Sequence, residues 1–128
     1  MAERCIPTAL LFGTVSGLLK GDAPASLTHL GLSKGDMSAF DVDTIKFASE
    51  ITREAVAPSL ETITKTNDTV VMTKAAWKPG AVSVYGAGMF THLTTDVLQA
   101  FHEWAAVVAF EASDEVTETM KIQSKQGA

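Results

Sequence analysis

SLETITK at 59–65, TVVMTK at 69–74 and AVSVY at 81–85 are three short runs rich in strand-forming residues. Turn signals separate them, at Asn67-Asp68 after the first run and at Lys78-Pro79-Gly80 after the second. The stretch that follows the third run changes to a helical spacing of apolar residues. This order predicts an antiparallel sheet followed by a helix.

The second and third runs are predicted to pair with each other over residues 69–91. In the third run Val82 and Val84 point to one face of the strand, while Ser83 and Tyr85 point to the other. This alternation predicts a half-buried strand with a polar face left over.

The stretch 95–112 is predicted to be an amphipathic helix. Thr94 or Thr95 is the expected N-cap, and Asp96 adds a negative charge that favours a helix N-terminus. The apolar stripe is too wide for one small sheet to cover, so a partner subunit is expected to bury part of it. The residues predicted to form this dimer interface are Val97, Leu98, Phe101, Trp104 and Val108.

The first half of the chain gives weaker signals. Residues 8–19 fit either a glycine-weakened helix or a strand, and the two interior glycines slightly favour the strand. We expect them to form an N-terminal hairpin with residues 26–32. The second of these segments also fits a single helical turn capped by Ser26. Residues 41–57 fit a helix and a strand equally well, and Pro58 ends whichever of the two forms.

Size and charge restrict the class of protein. A chain of 128 residues predicts a single domain, and its net charge of −5 lowers the expectation of nucleic-acid binding. The lone Cys5 cannot form an internal disulfide, so a cytoplasmic setting is the default. The apolar segment Ile6 to Leu19 is too short to span a bilayer and is a poor match to a secretory signal, so no membrane partner is predicted.

No group of residues predicts a reaction. His92, His102 and Glu103 are the side chains that suggest acid–base or metal chemistry, but the two histidines are ten residues apart. Two ligands on one helix face would be three or four residues apart. We therefore predict no catalytic residues, no metal and no cofactor.

Hydroxyl and lysine side chains along the three runs suggest a different role. Such groups can contact phosphates and sugars, and a tyrosine can stack on an unpaired base. A solvated sheet face explains the same pattern. The residues predicted to contact RNA are Thr62, Thr64, Lys65, Thr73, Lys74, Ser83 and Tyr85.

Residues 55–110 resemble the coat proteins of small single-stranded RNA bacteriophages. The likeness lies in AVAPSLETIT at 55–64, AAWK at 75–78 and MFTHLTTD at 89–96, the last leading into the predicted helix. The resemblance implies an N-terminal hairpin, an antiparallel sheet and C-terminal helices that clasp a partner subunit. It also implies an obligate dimer, assembly into a shell, and RNA bound on the sheet face opposite the helices.

Together these observations predict an α+β fold with an antiparallel β-sheet, an N-terminal hairpin and a C-terminal amphipathic helix that packs across a dimer. The predicted function is a structural, self-assembling subunit, a viral coat protein of the virion that assembles in the host cytoplasm and contacts genomic RNA. The alternatives are a mainly helical adaptor domain that binds a protein partner, and a small dimeric α+β enzyme.

Overall fold

The computed structural model describes residues 3–124, which form a mostly β protein with 43% strand and 10% helix. A five-stranded antiparallel sheet has the strand order β1-β7-β6-β2-β3, and a three-stranded antiparallel sheet has the order β4-β5-β8. The elements are β1 (Arg4–Pro7), α1 (Ala9–Lys20), β2 (His29–Ser33), β3 (Glu54–Ala55), β4 (Ser59–Glu61), β5 (Thr69–Trp77), β6 (Ser83–Phe90), β7 (Leu98–Ala109) and β8 (Val116–Gln123).

The predicted α+β class is wrong because the C-terminal amphipathic helix is not present. Most of the stretch 95–112 forms the twelve-residue strand β7, which lies between β1 and β6. At its start β7 is apolar on both faces, since Leu98, Ala100 and Phe101 are all buried. A strand that is buried on both faces has no two-residue alternation, so its apolar residues imitate a helical stripe.

The predicted N-terminal hairpin is also wrong. Residues 9–20 form the helix α1 rather than a strand, and β2, which overlaps the predicted second arm, pairs with β3 and β6 instead. Gly13 and Gly17 lower the intrinsic helix propensity. The helix forms despite them because Thr8 binds its N-terminus to β7 and Gly21 caps its C-terminus.

The predicted pairing within residues 69–91 does not form. Strands β5 and β6 both exist, but they belong to different sheets, and β5 pairs with β4 and β8. The turn between them contains Gly80 at φ 90°, a conformation that glycine adopts without steric cost. Of the predicted run 59–65, only Ser59–Glu61 is a strand.

Apolar side chains form two clusters, one on each face of the five-stranded sheet. The cluster between the two sheets joins Leu30, Met89 and Ala100 to Met72 and Met120 of the smaller sheet. The second cluster lies on the opposite face, because adjacent strand residues point in opposite directions. It consists of Met37, Phe47, Phe90, Leu98 and Phe101.

The second cluster is covered by the irregular segment 34–53, which overlaps residues 41–57, for which helix and strand were equally expected. The regular structure of this segment is one bridge from Glu50 to Ser33, and the two-residue strand β3 follows it. Buried Arg53 holds the segment by donating to the carbonyl oxygens of His92 at 2.9 Å and Thr95 at 2.8 Å. Its guanidinium also lies 3.6 Å from the centre of the Phe90 ring.

Candidate interaction surface

Helix α1 is fastened to the body of the protein at its N-terminus. The buried Thr8 donates its hydroxyl to the carbonyl of Leu98 at 2.5 Å, and its N–H donates to the carbonyl of Gln99 at 2.9 Å. One turn later the Thr14 hydroxyl donates to the side-chain oxygen of Gln99 at 3.0 Å. These bonds tie the first half of the helix to strand β7.

A glycine ends the helix. Gly21 has φ 107°, in the left-handed region that glycine adopts without steric cost. The N–H of Asp22 donates to the carbonyl of Gly17 at 2.8 Å, and that of Gly21 to the carbonyl of Leu18 at 3.1 Å. This closing turn satisfies two carbonyl groups at the helix end.

Although both ends are fixed, α1 contains no buried residue. Four of its exposed side chains are large and apolar, and the exposed fractions are 55% for Phe12, 47% for Val15, 62% for Leu18 and 82% for Leu19. At 100° per residue, these four side chains fall within an arc of about 120°. The sole charged residue of the helix is Lys20, so this arc is an uncharged apolar surface.

An apolar cleft of about 410 Å³ lies beside the exposed arc. Leu11, Thr14 and Leu18 form its helical wall, and residues 23–27 with Pro58 and Val70 form much of the opposite side. We call the exposed arc and this cleft together the α1 surface. A contiguous apolar patch of this kind is typical of a surface that binds another molecule.

The predicted dimer residues do not form one surface. Leu98 and Phe101 are fully buried in the second cluster of their own subunit, so they do not reach a partner. Val97 and Trp104 are half-buried, and Trp104 packs against Phe110. Val108, near the outer end of β7, is exposed. The helical face on which this interface was predicted does not exist.

The seven residues predicted to contact RNA lie in three separate places. Thr62, Thr64 and Lys65 belong to the loop between β4 and β5, whose backbone is held by Asp68. Thr73 and Lys74 point to opposite faces of β5 in the smaller sheet. Ser83 and Tyr85 lie on β6 of the larger sheet. RNA contact by these residues stays a prediction, and their placement does not unite them on one face.

The structure separates the three residues that suggested acid–base chemistry. His92 lies in the exposed loop before β7, where its Nδ1 is 3.0 Å from the Thr91 hydroxyl. His102 and Glu103 are neighbours on β7 and therefore point to opposite faces of the sheet. Glu103 pairs with Arg4, with Oε1 2.5 Å from Nε. These three side chains therefore do not converge, as the enzyme hypothesis required.

His102 instead bridges the two sheets. Its Nδ1 donates to Glu118 Oε1 of strand β8 at 2.6 Å, and its Nε2 lies 3.2 Å from Glu3 Oε2. The hydrogen bond to Glu118 raises the pKa of His102, although partial burial opposes this. Cys5 is the cross-strand partner of His102, and burial together with Glu3 and Glu118 raises the pKa of its thiol. A protonated thiol is a poor nucleophile.

Within residues 3–124, no group of three His, Cys, Asp or Glu side chains could hold a metal ion. Comparison of the chain with protein-family models, curated proteins and solved structures found no match. The functional conclusion therefore depends on the geometry of this molecule.

The α1 surface was missed in the sequence because its apolar run was assigned to a strand. A signal was nonetheless present: Leu10, Leu11 and Leu18 recur at helical spacing, and Gly21 follows as a C-terminal signal. The fastening of Thr8 by β7, which lies about 90 residues away along the chain, leaves no local trace.

Proposed function

We propose that this chain is a structural subunit that associates with copies of itself, and that the α1 surface is the contact. The observation that supports the proposal is the exposure of Phe12, Val15, Leu18 and Leu19 on a helix with no buried residue. An exposed apolar arc on a helix is typical of an interaction surface, and a partner would bury it.

The absence of carboxylates on α1 allows a second copy to be the partner. Each subunit carries a net charge of −5, so two copies repel each other over most of their surfaces. The segment from Ala9 to Lys20 contains no carboxylate. Two copies can therefore bring their helices together without placing acidic groups in contact. Around a twofold axis the same apolar patch would be buried on both subunits.

Other readings have less support. The mainly helical fold of the adaptor alternative is wrong, because helix makes up only 10% of the described structure. The part of the chain that the structure describes has no helix long and apolar enough to cross a membrane. A coat role in a virion depends on the resemblance of residues 55–110, and the fold which that resemblance implied is not the one observed. We therefore propose self-association without assigning a shell or a genome.

The test is a substitution within the α1 surface. Leu18→Glu places a carboxylate on the exposed arc, and we expect its self-association, measured by sedimentation velocity across micromolar concentrations, to weaken by at least about tenfold. Leu60→Glu is the matched control. Leu60 is equally exposed, at 61% against 62% for Leu18, but it lies on the edge strand β4.

Three outcomes would contradict the proposal: a wild-type chain that is monomeric throughout the concentration range, equal weakening by both variants, or no weakening by Leu18→Glu. Flotation with vesicles of phosphatidylcholine and phosphatidylglycerol tests a lipid surface as the alternative partner. Strong vesicle binding by a monomeric wild-type chain that Leu18→Glu abolishes would assign the α1 surface to lipid instead.

A further inference from the structure

Three of the four sheet edges in the described structure are short. Strand β1 has four residues and ends at Pro7, β3 has two and β4 has three. Natural proteins protect sheet edges with very short strands and prolines, because a free edge can pair with another chain. Strand β8 is the exception, with eight residues, Val116–Gln123, and neither proline nor glycine.

Strand β8 pairs with β5 on one side, and none of the other described strands pairs with it on the other side. Both of its charged side chains are paired within the subunit. Lys121 is neutralised by Glu61 at 3.0 Å, and Glu118 points inward to His102 at 2.6 Å. The exposed residues between and beside them, Thr117 and Thr119, are uncharged.

A cavity of about 580 Å³ runs along the same edge, between β8 and β1. Its walls include the apolar side chains of Ile6, Met89, Met120 and Ile122. When a strand is added to a sheet, its main chain pairs with the free edge and alternate side chains enter pockets beside it. Strand β8 and this cavity offer both of these features.

We propose that β8 pairs in antiparallel fashion with β8 of a second copy, joining two three-stranded sheets into one sheet of six strands. The contact goes beyond the association through α1, since the two surfaces involve different elements. A subunit with two separate self-contacts can extend an assembly past a dimer.

The side chains restrict the register of this pairing. Opposite residues of an antiparallel pair have their side chains on the same face of the sheet. If a twofold axis relates the two copies, one residue of β8 must therefore lie opposite the same residue of the second copy. An axis at Glu118 or Lys121 would place like charges opposite each other, which is destabilising. An axis at Thr119 places Thr117 opposite Lys121 and Glu118 opposite Met120, with no like charges opposed.

A row of threonine side chains across the sheet favours the axis at Thr119. The hydroxyl of Thr119 already lies 3.0 Å from that of Thr73 on β5. Pairing about Thr119 would continue this row into the second copy, and cross-strand threonine pairs stabilise sheets. The proposal therefore predicts that two Thr119 side chains lie opposite each other in the assembly.

Thr119→Cys in a Cys5→Ser background tests this register. Opposite residues of an antiparallel pair are about 4.5–5.5 Å apart at Cα, which suits a disulfide. We expect mild oxidation to give a covalent dimer. Thr73→Cys in the same background is the matched control, because the two copies of β5 would be about 14 Å apart, at three strand spacings. Equal dimer from both variants, or none from Thr119→Cys, would overturn the proposed pairing.

A charge-swap experiment tests the contact without cysteine. Thr119→Lys and Thr119→Glu each place like charges opposite each other, and we expect association to weaken about fivefold. Mixing the two variants in equal amounts should restore it. Combining each change with Leu18→Glu leaves β8 as the remaining contact. Failure of the mixture to restore association would contradict the β8 contact and leave the α1 contact untouched.

Discussion

Arg53 shows how one buried side chain can organise a segment that lacks regular structure. Its guanidinium donates to two loop carbonyls and to both carboxylate oxygens of Glu50, at 3.0 Å each. The two carbonyls belong to residues 39 and 42 positions away along the chain, so these bonds tie the segment to the loop before β7. The irregular segment 34–53 can therefore cover the sheet although it contains no long helix or strand.

His102 makes the stability of the fold depend on pH. Its folded-state pKa is raised, chiefly by the hydrogen bond to Glu118. The stability it contributes is therefore fully present below its ordinary pKa of 6.5 and is lost as the pH rises through the folded-state value. We expect the free energy of unfolding of the wild type, relative to His102→Gln, to fall as the pH rises above the ordinary pKa of 6.5.

Urea unfolding at a series of pH values measures this difference. His92→Gln is the control, because His92 lies in an exposed loop outside the bridge between the sheets. The prediction is wrong if the wild type and His102→Gln lose stability in parallel over the whole range.

At the scale of elements, α1 and β7 exchange the roles that their sequences suggest. The glycine-containing apolar run forms the helix, and the run with helical spacing forms a strand. In both cases distant partners outweigh local preference. Strand β7 pairs with both β1 and β6, while Thr8 and Thr14 tie α1 to β7.

Substitutions at Gly13 and Gly88 test two different effects, intrinsic helix propensity and close packing. A Cβ at Gly13 in α1 would meet no atom within 4 Å, so Gly13→Ala should stabilise the fold by about 0.5–1 kcal/mol. A Cβ at Gly88 in β6 would lie 2.6 Å from Leu98 Cδ1 and 2.7 Å from Phe47 Cζ. Gly88→Ala should destabilise it by about 1–3 kcal/mol.

Urea unfolding of both glycine variants at one protein concentration gives the comparison, since association links stability to concentration. Stabilisation by Gly88→Ala, or destabilisation by Gly13→Ala, would contradict this assignment of helix and strand.

At the scale of the whole molecule, net charge opposes the proposed assembly. Copies with a charge of −5 repel one another, and salt screens this repulsion. Raising NaCl from about 20 mM to about 500 mM shortens the Debye length from about 20 Å to about 4 Å. We expect self-association, measured by sedimentation velocity, to strengthen over this range.

Asp43→Asn combined with Glu111→Gln provides the control for general salt effects. Both residues are exposed, and removing two carboxylates changes the net charge from −5 to −3. The double variant should show a shallower dependence on salt. An equally steep dependence would mean that screening of net charge is not the cause.

Several features could be predicted from the sequence alone. Thr69–Lys74 and Ser83–Tyr85 lie in strands, and Gly80 has positive φ in a turn, because side-chain branching and glycine act locally. An apolar surface for association stays a prediction. It was assigned to residues 95–112, whereas the exposed apolar helix is residues 9–20.

The tertiary structure alone decided which strands pair, which apolar stretch is buried and where the free edge lies. Strands β5 and β6 are neighbours in sequence but join different sheets, because β5 pairs with β8 and β6 pairs with β7. Local residue preferences set the conformation of short runs. Long-range hydrogen bonds and burial on both faces determine which strands pair and which surfaces stay exposed. Both surfaces proposed for assembly therefore depend on them.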